Sequence, residues 1–377
     1  MPKTVHLLFA TLLVAQYGFA QTKTTRIDFE TYNPPSSLKV PEHVVTKAKF
    51  PFIDVHNHQG NMPQQDLGAL LKQMDTLNMK VMVNLSGTGF RNNNNTTDVH
   101  ANAHLVSSLE NAKKVTPNRL VIFTNVSFTG VGEPGWEETA VKRLEADVKA
   151  GAKGLKVFKN LGFSAKDNSG KILRVDDPRL DPIWKKCGEL GIPVLIHTAD
   201  PKQFWEEPNE NNERWLELIT HPGRKRTNDN PASWEDLIAQ QHNIIRRHPK
   251  TNFIAAHFGW YPNDLAHLSG LLDSFPNMYV EFGAVIAELG RQPRTAKKFF
   301  EKYQDRILFG KDSWVPSEYA TYFRVLETED EYFPYHKKYH AYWKMYGLGL
   351  SDAVLKKVYY KNALKIIPGM DKTLFPD

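Results

Sequence analysis

The stretch Phe52-Ile53-Asp54-Val55-His56-Asn57-His58 decides how this chain is read. Its apolar start predicts a strand, and alternate residues of a strand share one face, so Asp54, His56 and His58 are expected to point the same way. With a rise of ~3.3 Å per residue the two imidazoles begin about 6–7 Å apart at their Cα atoms, near enough to converge on one ion through bonds of ~2.1 Å. Taken alone, a His-x-His pair equally suits two hydrogen-bonded side chains, so its meaning depends on what surrounds it.

What surrounds it is repetition. Seven more short apolar runs follow, at residues 80–85, 120–126, 154–158, 193–196, 252–256, 278–282 and 306–309. Stretches of helical period lie between them, among them 66–74, 137–150, 234–247 and 295–303. Strands alternating with helices predict parallel pairing, and right-handed crossovers place every helix outside, so eight units close a (β/α)8 TIM barrel of the α/β class. Residues 335–346 and 351–365 are expected to add two helices after the barrel. Two long connections, 199–233 and 313–334, each follow a strand and therefore belong to the C-terminal rim, where barrels build their active sites.

The rim is also where the ionisable residues fall. His197 closes the fifth run, His257 closes the sixth, and Asp312 follows the eighth. Single histidines at strand ends are commonly core residues with a hydrogen-bond partner. Four imidazoles and a carboxylate at one height point instead to a divalent metal site.

With those residues in place the chain resembles the amidohydrolase superfamily, in the amidohydrolase-related branch that also holds aromatic-acid decarboxylases and lactonases. The resemblance runs from Phe52 to Ile367 and includes Tyr359-Tyr360-Lys361-Asn362-Ala363-Leu364. It implies His56, His58, His197 and Asp312 as metal ligands, Asp312 also as proton shuttle, and His257 as a catalytic residue beside water or substrate. Zinc is the ion it favours, with manganese or another divalent ion open, and one ion rather than two. Lys156, with Lys159 as the alternative, stands where some relatives bridge two metals, and a substrate-binding lysine fits that position equally. Gly310-Lys311-Asp312 departs from the more usual Gly-Thr-Asp or Gly-Ser-Asp. The implied reaction is water attacking the carbonyl of a small amide or lactone. Decarboxylation of an aromatic or unsaturated acid is the alternative, and a barrel that binds a ligand without turnover a third reading.

Substrate contacts are thinly signalled. Arg291 and Arg294 follow the seventh run and suit a carboxylate clamp or a solvated helix start. Trp314, beside Asp312, suits a pocket wall, while Glu281 inside the seventh run either faces the interior or pairs with a lysine. The partner expected is therefore a small molecule, and a homo-oligomer is compatible with the sequence.

The remaining features narrow the class. The chain has 377 residues, 41% hydrophobic and 24% charged, which suits one large folded domain from residue 50 onward. Residues 1–20 carry Lys3, the apolar run Leu7 to Ala15 and the small-x-small end Gly18-Phe19-Ala20, which together predict a cleaved signal and an exported, periplasmic or secreted protein. Residues 21–49 are polar and proline-containing, as for an extended arm. A formal charge of +6 is spread along the chain, and its basic runs, Arg224-Lys225-Arg226 and Arg246-Arg247, are short and separated, against a nucleic-acid or membrane partner. The single cysteine, Cys187, cannot form an internal disulfide, so stability rests on the core.

Overall fold

The computed structural model describes residues 26–89, 98–228 and 232–376. Contacts divide the chain into Met1–Ser37 and Leu38–Asp377. In the first unit, the amides of Thr31 and Tyr32 both donate to the Asp28 carbonyl, forming one turn. The predicted signal, 1–20, and the first residues of the predicted arm lie outside the described residues. The rest of the arm, residues 26–49, forms no helix or strand.

The second unit is built on eight parallel strands. They are β1 (Phe52–Asn57), β2 (Met79–Asn84), β3 (Leu120–Ile122), β4 (Leu155–Val157), β5 (Val194–Ile196), β6 (Phe253–Ala255), β7 (Met278–Glu281) and β8 (Ile307–Leu308). Regular ladders join β1 to β3 and β4 to β8. Between these two sheets the Thr124 amide donates to the Gly154 carbonyl and the Lys156 amide to the Thr124 carbonyl, at 2.9 and 2.8 Å. On the other side, the Val55 amide donates to the Phe309 carbonyl at 2.9 Å and Asp312 to the His56 carbonyl at 2.6 Å. These bonds carry the strand order around the ring, and the fold is the expected TIM barrel of the α/β class.

Helices start and stop where local chemistry directs. The Asp66 carboxylate caps Leu67–Leu77 by accepting from the Ala69 amide at 2.9 Å, and Asn78 ends that helix in the left-handed region at φ 68°. Ser233 caps Trp234–Arg247 in the same way, through the Asp236 amide. Gly151, at φ 134°, ends Trp136–Ala150. Every residue of β1 is buried, as a strand covered on both faces requires. Cys187 is buried in the same core. Among the described residues no helix is long and apolar enough to cross a membrane.

One expected helix is absent. Residues 335–346 contain no helix; an antiparallel pair, β9 (Phe333–Pro334) and β10 (Lys344–Met345), brackets a turn. Tyr335, Tyr339 and Trp343 repeat every four residues and so mimic a helical face, but each ring has a separate tertiary anchor. Tyr335 hydrogen-bonds with Tyr322, Tyr339 stacks on His221 with ring centroids 4.8 Å apart, and the Trp343 indole donates to the Ala287 carbonyl at 3.0 Å. Tertiary contacts have overridden the local period. The helix expected over 351–365 is present as Asp352–Lys356 and Asn362–Ile366, joined by a π turn at Lys357–Lys361.

An aromatic cluster seals the junction of β8 and β1. Phe309 lies 4.7 Å from Phe52, 5.3 Å from Phe282 and 5.6 Å from Tyr359, ring centre to ring centre. Phe309→Ala is expected to lower unfolding free energy by ~3–5 kcal/mol, measured by urea denaturation.

Candidate metal centre

The chain turns sharply where four of the strands reach the C-terminal rim. Ala199 after β5, His257 after β6, Ala284 after β7 and Asp312 after β8 all take positive φ, at 63°, 57°, 57° and 82°. Such backbone costs about 1–3 kcal/mol per non-glycine residue and persists where surrounding structure imposes it. Here it turns side chains from different strands toward one another.

Glu281, the last residue of β7, is the hub. Its Oε1 accepts from the His257 amide at 2.8 Å and lies 2.8 Å from His56 Nδ1, while its Oε2 accepts from the Gly283 amide at 2.6 Å. Two glycines make room for it. A Cβ on Gly310 would lie 2.3 Å from Glu281 Oε2, and one on Gly283 would lie 2.9 Å from the same atom. Burial favours the neutral carboxyl, but the charge and hydrogen bond of His56, with His257, hold Glu281 down at about 2. It is therefore an anion, and His56 Nδ1 must carry the proton between them.

His56 thereby turns its other nitrogen to the cluster. His56 Nε2 lies 3.2 Å from Asp312 Oδ1, and His58 Nε2 lies 3.6 Å from the same oxygen. Burial and Lys156 work against a charged His56, yet Glu281 and Asp312 outweigh them and lift it to about 8. His58 is held by Ser86 Oγ, 2.9 Å from its Nδ1, and burial with His56 depresses it well below the usual histidine range. For Asp312, burial acts upward, but His56 above all, then His257 and His58, keep its carboxyl well below the carboxylate range.

A second relay fixes His197. His257 Nδ1 lies 2.6 Å from the Gly283 carbonyl, which can only accept, so that nitrogen carries the proton and Nε2 is left with a lone pair. His257 Nε2 lies 3.4 Å from His197 Nδ1 and accepts from it. His197 Nε2 is then a lone pair as well, and it is buried without a hydrogen-bond partner, as is His56 Nε2. Burial, with His257, lowers His197 well below the usual range, which keeps it neutral.

These groups fit a divalent cation. His56, His58 and Asp312 present ligand atoms within 4.8 Å of one another. A second grouping, His56, His257 and Glu281, meets the same distance test, but both Glu281 oxygens and both His257 nitrogens already have protein partners. The first grouping, with the unpartnered His197 Nε2 as a further donor, is the one with lone pairs to spare. Glu281 then stands behind His56 as the carboxylate that orients a metal-ligating imidazole.

The remaining expected residues divide. Lys156 is buried beside the cluster, where desolvation pulls it down to about 8 against the pull of Asp312 and Glu281. Lys159 instead pairs with Asp200 at 2.6 Å. Lys311 turns to Glu318, at 2.6 Å, and to Ser313. Arg291 forms a two-pronged pair with Glu213, at 2.9 and 3.0 Å, and lies over Trp343. Arg294 is exposed. The Trp314 indole donates to Gln73 at 3.2 Å and packs against Tyr319. Asp54 is taken by Tyr319 and Asn57, at 2.6 and 2.9 Å, and joins no ligand group. His257 has both ring nitrogens on protein partners, where the sequence had suggested water or substrate.

Three features were not legible as functional. The role of Glu281, Ser86 behind His58, and Trp260, whose ring centre lies 4.6 Å from His257, all depend on neighbours distant in the chain.

An amidohydrolase family model matches residues 53–368, from the first barrel strand to just past the helix Asn362–Ile366. The chain belongs to the amidohydrolase family. No curated protein matches it. Among solved structures, this amidohydrolase-family chain is similar to 2,6-dihydroxybenzoate decarboxylase complexed with 2,6-dihydroxybenzoate, at 16% identity and a TM-score of 0.53, over 84% of this chain and 99% of that one. A dihydroxybenzoic acid decarboxylase from Polaromonas sp. JS666, with bound manganese and 2-nitroresorcinol, has 16% identity and a TM-score of 0.53 over 84% and 96% of the two chains. An uncharacterized TIM-barrel protein from Bordetella bronchiseptica has 12% identity and a TM-score of 0.50, over 84% and 97%. At these identities the likeness shows the fold.

Two measurements probe the centre. Glu281→Gln is expected to weaken divalent-metal affinity by about 10–100-fold, read by competition with a chelating indicator, while circular dichroism remains that of the wild type. Because His56 titrates at about 8, the metal-free protein carries its proton at pH 7 and must lose it to ligate. Metal uptake at pH 7 should therefore release a proton, seen by calorimetry in buffers of different ionisation heat, and affinity should rise as pH approaches 8.

Proposed function

We propose that this protein is a metal-dependent hydrolase that opens the carbonyl of a small amide or lactone, with Asp312 as the proton carrier. The observation that supports it is the placement of Asp312: its Oδ1 lies 3.2 Å from His56 Nε2 and 3.6 Å from His58 Nε2, and its side chain is partly open to solvent. A carboxylate so placed stands beside the ligand set and within reach of a bound water.

His56, His58, His197 and Asp312 would hold the ion. Once bound, a divalent cation there lowers the pKa of water toward ~7 and polarises a carbonyl oxygen. The chain's own residues do the rest. Asp312 takes the proton from the attacking water and returns it to the leaving nitrogen or oxygen. Glu281 keeps the His56 proton on Nδ1, so that Nε2 stays available. His257 does the same for His197 by accepting from its Nδ1. Trp260, against His197 and His257, shields that side from solvent. Zinc suits this donor set, and manganese, bound in the Polaromonas decarboxylase, is the second choice.

The decarboxylase reading is kept because both dihydroxybenzoate structures share this fold. In that reaction Asp312 would have to deliver a proton to carbon, and would need to arrive protonated. The match to an amidohydrolase family model over residues 53–368 supports the hydrolase.

Stripping the metal with a chelator should abolish turnover and a divalent salt restore it, while Asp312→Asn should lower kcat by about 10²–10⁴-fold. The assay is a panel of lactones, amides and dihydroxybenzoic acids with carbon dioxide detection. Carbon dioxide from the acids, with no opening of any lactone or amide, would exchange the hydrolase for the decarboxylase.

A further inference from the structure

One buried amine in the centre has no hydrogen-bond partner among the described residues. The Lys156 side chain leaves β4 toward the cluster, the residue is 1% exposed, and its Nζ has no hydrogen-bond partner. It lies within electrostatic reach of His56, His58, His197, Glu281 and Asp312. The contrast with Lys311 is instructive. That lysine, 2% exposed, is satisfied by Glu318 at 2.6 Å and by Ser313 at 2.9 Å.

Buried donors without partners are rare in folded proteins, and a buried charge is retained where something outside the fold supplies its counterpart. The local charge says what that counterpart is. With a divalent ion held by neutral imidazoles, the carboxylates of Asp312 and Glu281 offset the ion, and Lys156 Nζ is left as a buried donor without a protein acceptor, which an anionic oxygen satisfies best. The group that completes the site is therefore an anion. Its surroundings are flat and apolar: Nζ lies 5.4 Å from the Phe158 ring centre, and that ring stacks on His58 with centroids 5.6 Å apart.

We propose that Lys156 is a specificity-determining residue that receives an anionic oxygen of the substrate, so that the site selects acids over their neutral analogues. This rests on the reading of the cluster as a metal-dependent active centre. The lysine acts by direct contact with the ligand, and a role in holding the ion is a different assignment that the test separates.

The experiment is calorimetric binding of acetate and benzoate, each against its neutral amide, to the manganese-loaded full chain, with bound metal counted by elemental analysis. The wild type should bind the better acid at least tenfold more tightly than its amide. Lys156→Met and the neutral donor variant Lys156→Gln should bring that ratio to within about threefold, keep the full metal content, and unfold at a midpoint no lower than the wild type, since each removes an unpaired buried charge. Lys156→Arg should keep a preference for the acid. An unchanged acid-to-amide ratio in the variants overturns the proposal. So does a loss of bound metal in Lys156→Met and Lys156→Gln together, which makes the lysine a support of the ion, and so does a wild type that binds neither acid. Absence of turnover across the substrate panel would count against the hydrolase reading while leaving this binding ratio measurable.

Discussion

The carboxylate of Glu281 is the constraint on which the rim depends. An ionised carboxyl taken out of water costs several kcal/mol or more unless donors surround it. Here the donors are the His56 ring, the His257 amide and the Gly283 amide, drawn from β1, β6 and β7's own continuation. Because each donor belongs to a different part of the ring, satisfying one buried charge fixes the relative positions of three strand ends. It also fixes chemistry, since a proton held on His56 Nδ1 leaves Nε2 to face Asp312. The notch formed by Gly283 and Gly310 is the steric half of the same device.

Around that anion the backbone holds conformations it would not choose locally. His257 and Phe258 sit at φ 57°, Gly259 at 58°, and Asp312 at 82°. The Asp312 amide donates to the His56 carbonyl and the His257 amide to Glu281, so the strained residues are tied by the bonds that join the strands. The strain and the preorganised lone pairs have one cause: side chains from separate strands are brought within a few ångströms before any ligand arrives, which spares later reorganisation.

The long connections are braced independently. Arg214 and Glu217, after β5, pair at 2.8 Å, and Glu217 also meets His340, after β8, at 2.9 Å. Arg214 reaches Glu288, after β7, and Arg224 reaches Glu217. The network is nearly sealed from solvent at Arg214, Glu217 and Glu288, so removing one member would strand the others as unpaired buried charges. It links three rim segments that in sequence are only long, polar stretches.

The sequence by itself determined the strand order, the barrel and the height of the ionisable residues. Strand periodicity and apolar runs are local properties, and a parallel ring places every strand end at one rim. That is why His56, His58, His197, His257, Lys156 and Asp312 were all legible as residues near one rim. Tertiary structure alone decided what each nitrogen faces. Glu281 was an ambiguous acid inside an apolar run until β1 and β6 supplied its donors. That His257 lies 2.6 Å from the Gly283 carbonyl through Nδ1 and 3.4 Å from His197 through Nε2 was visible only in the fold. The segment 335–346 read as a helix because four-residue spacing is visible in sequence, whereas the separate anchors of its rings on His221, Tyr322 and Ala287 are not. Period is carried by neighbours along the chain. Protonation, tautomer and the pairing of buried charges are set by neighbours across space.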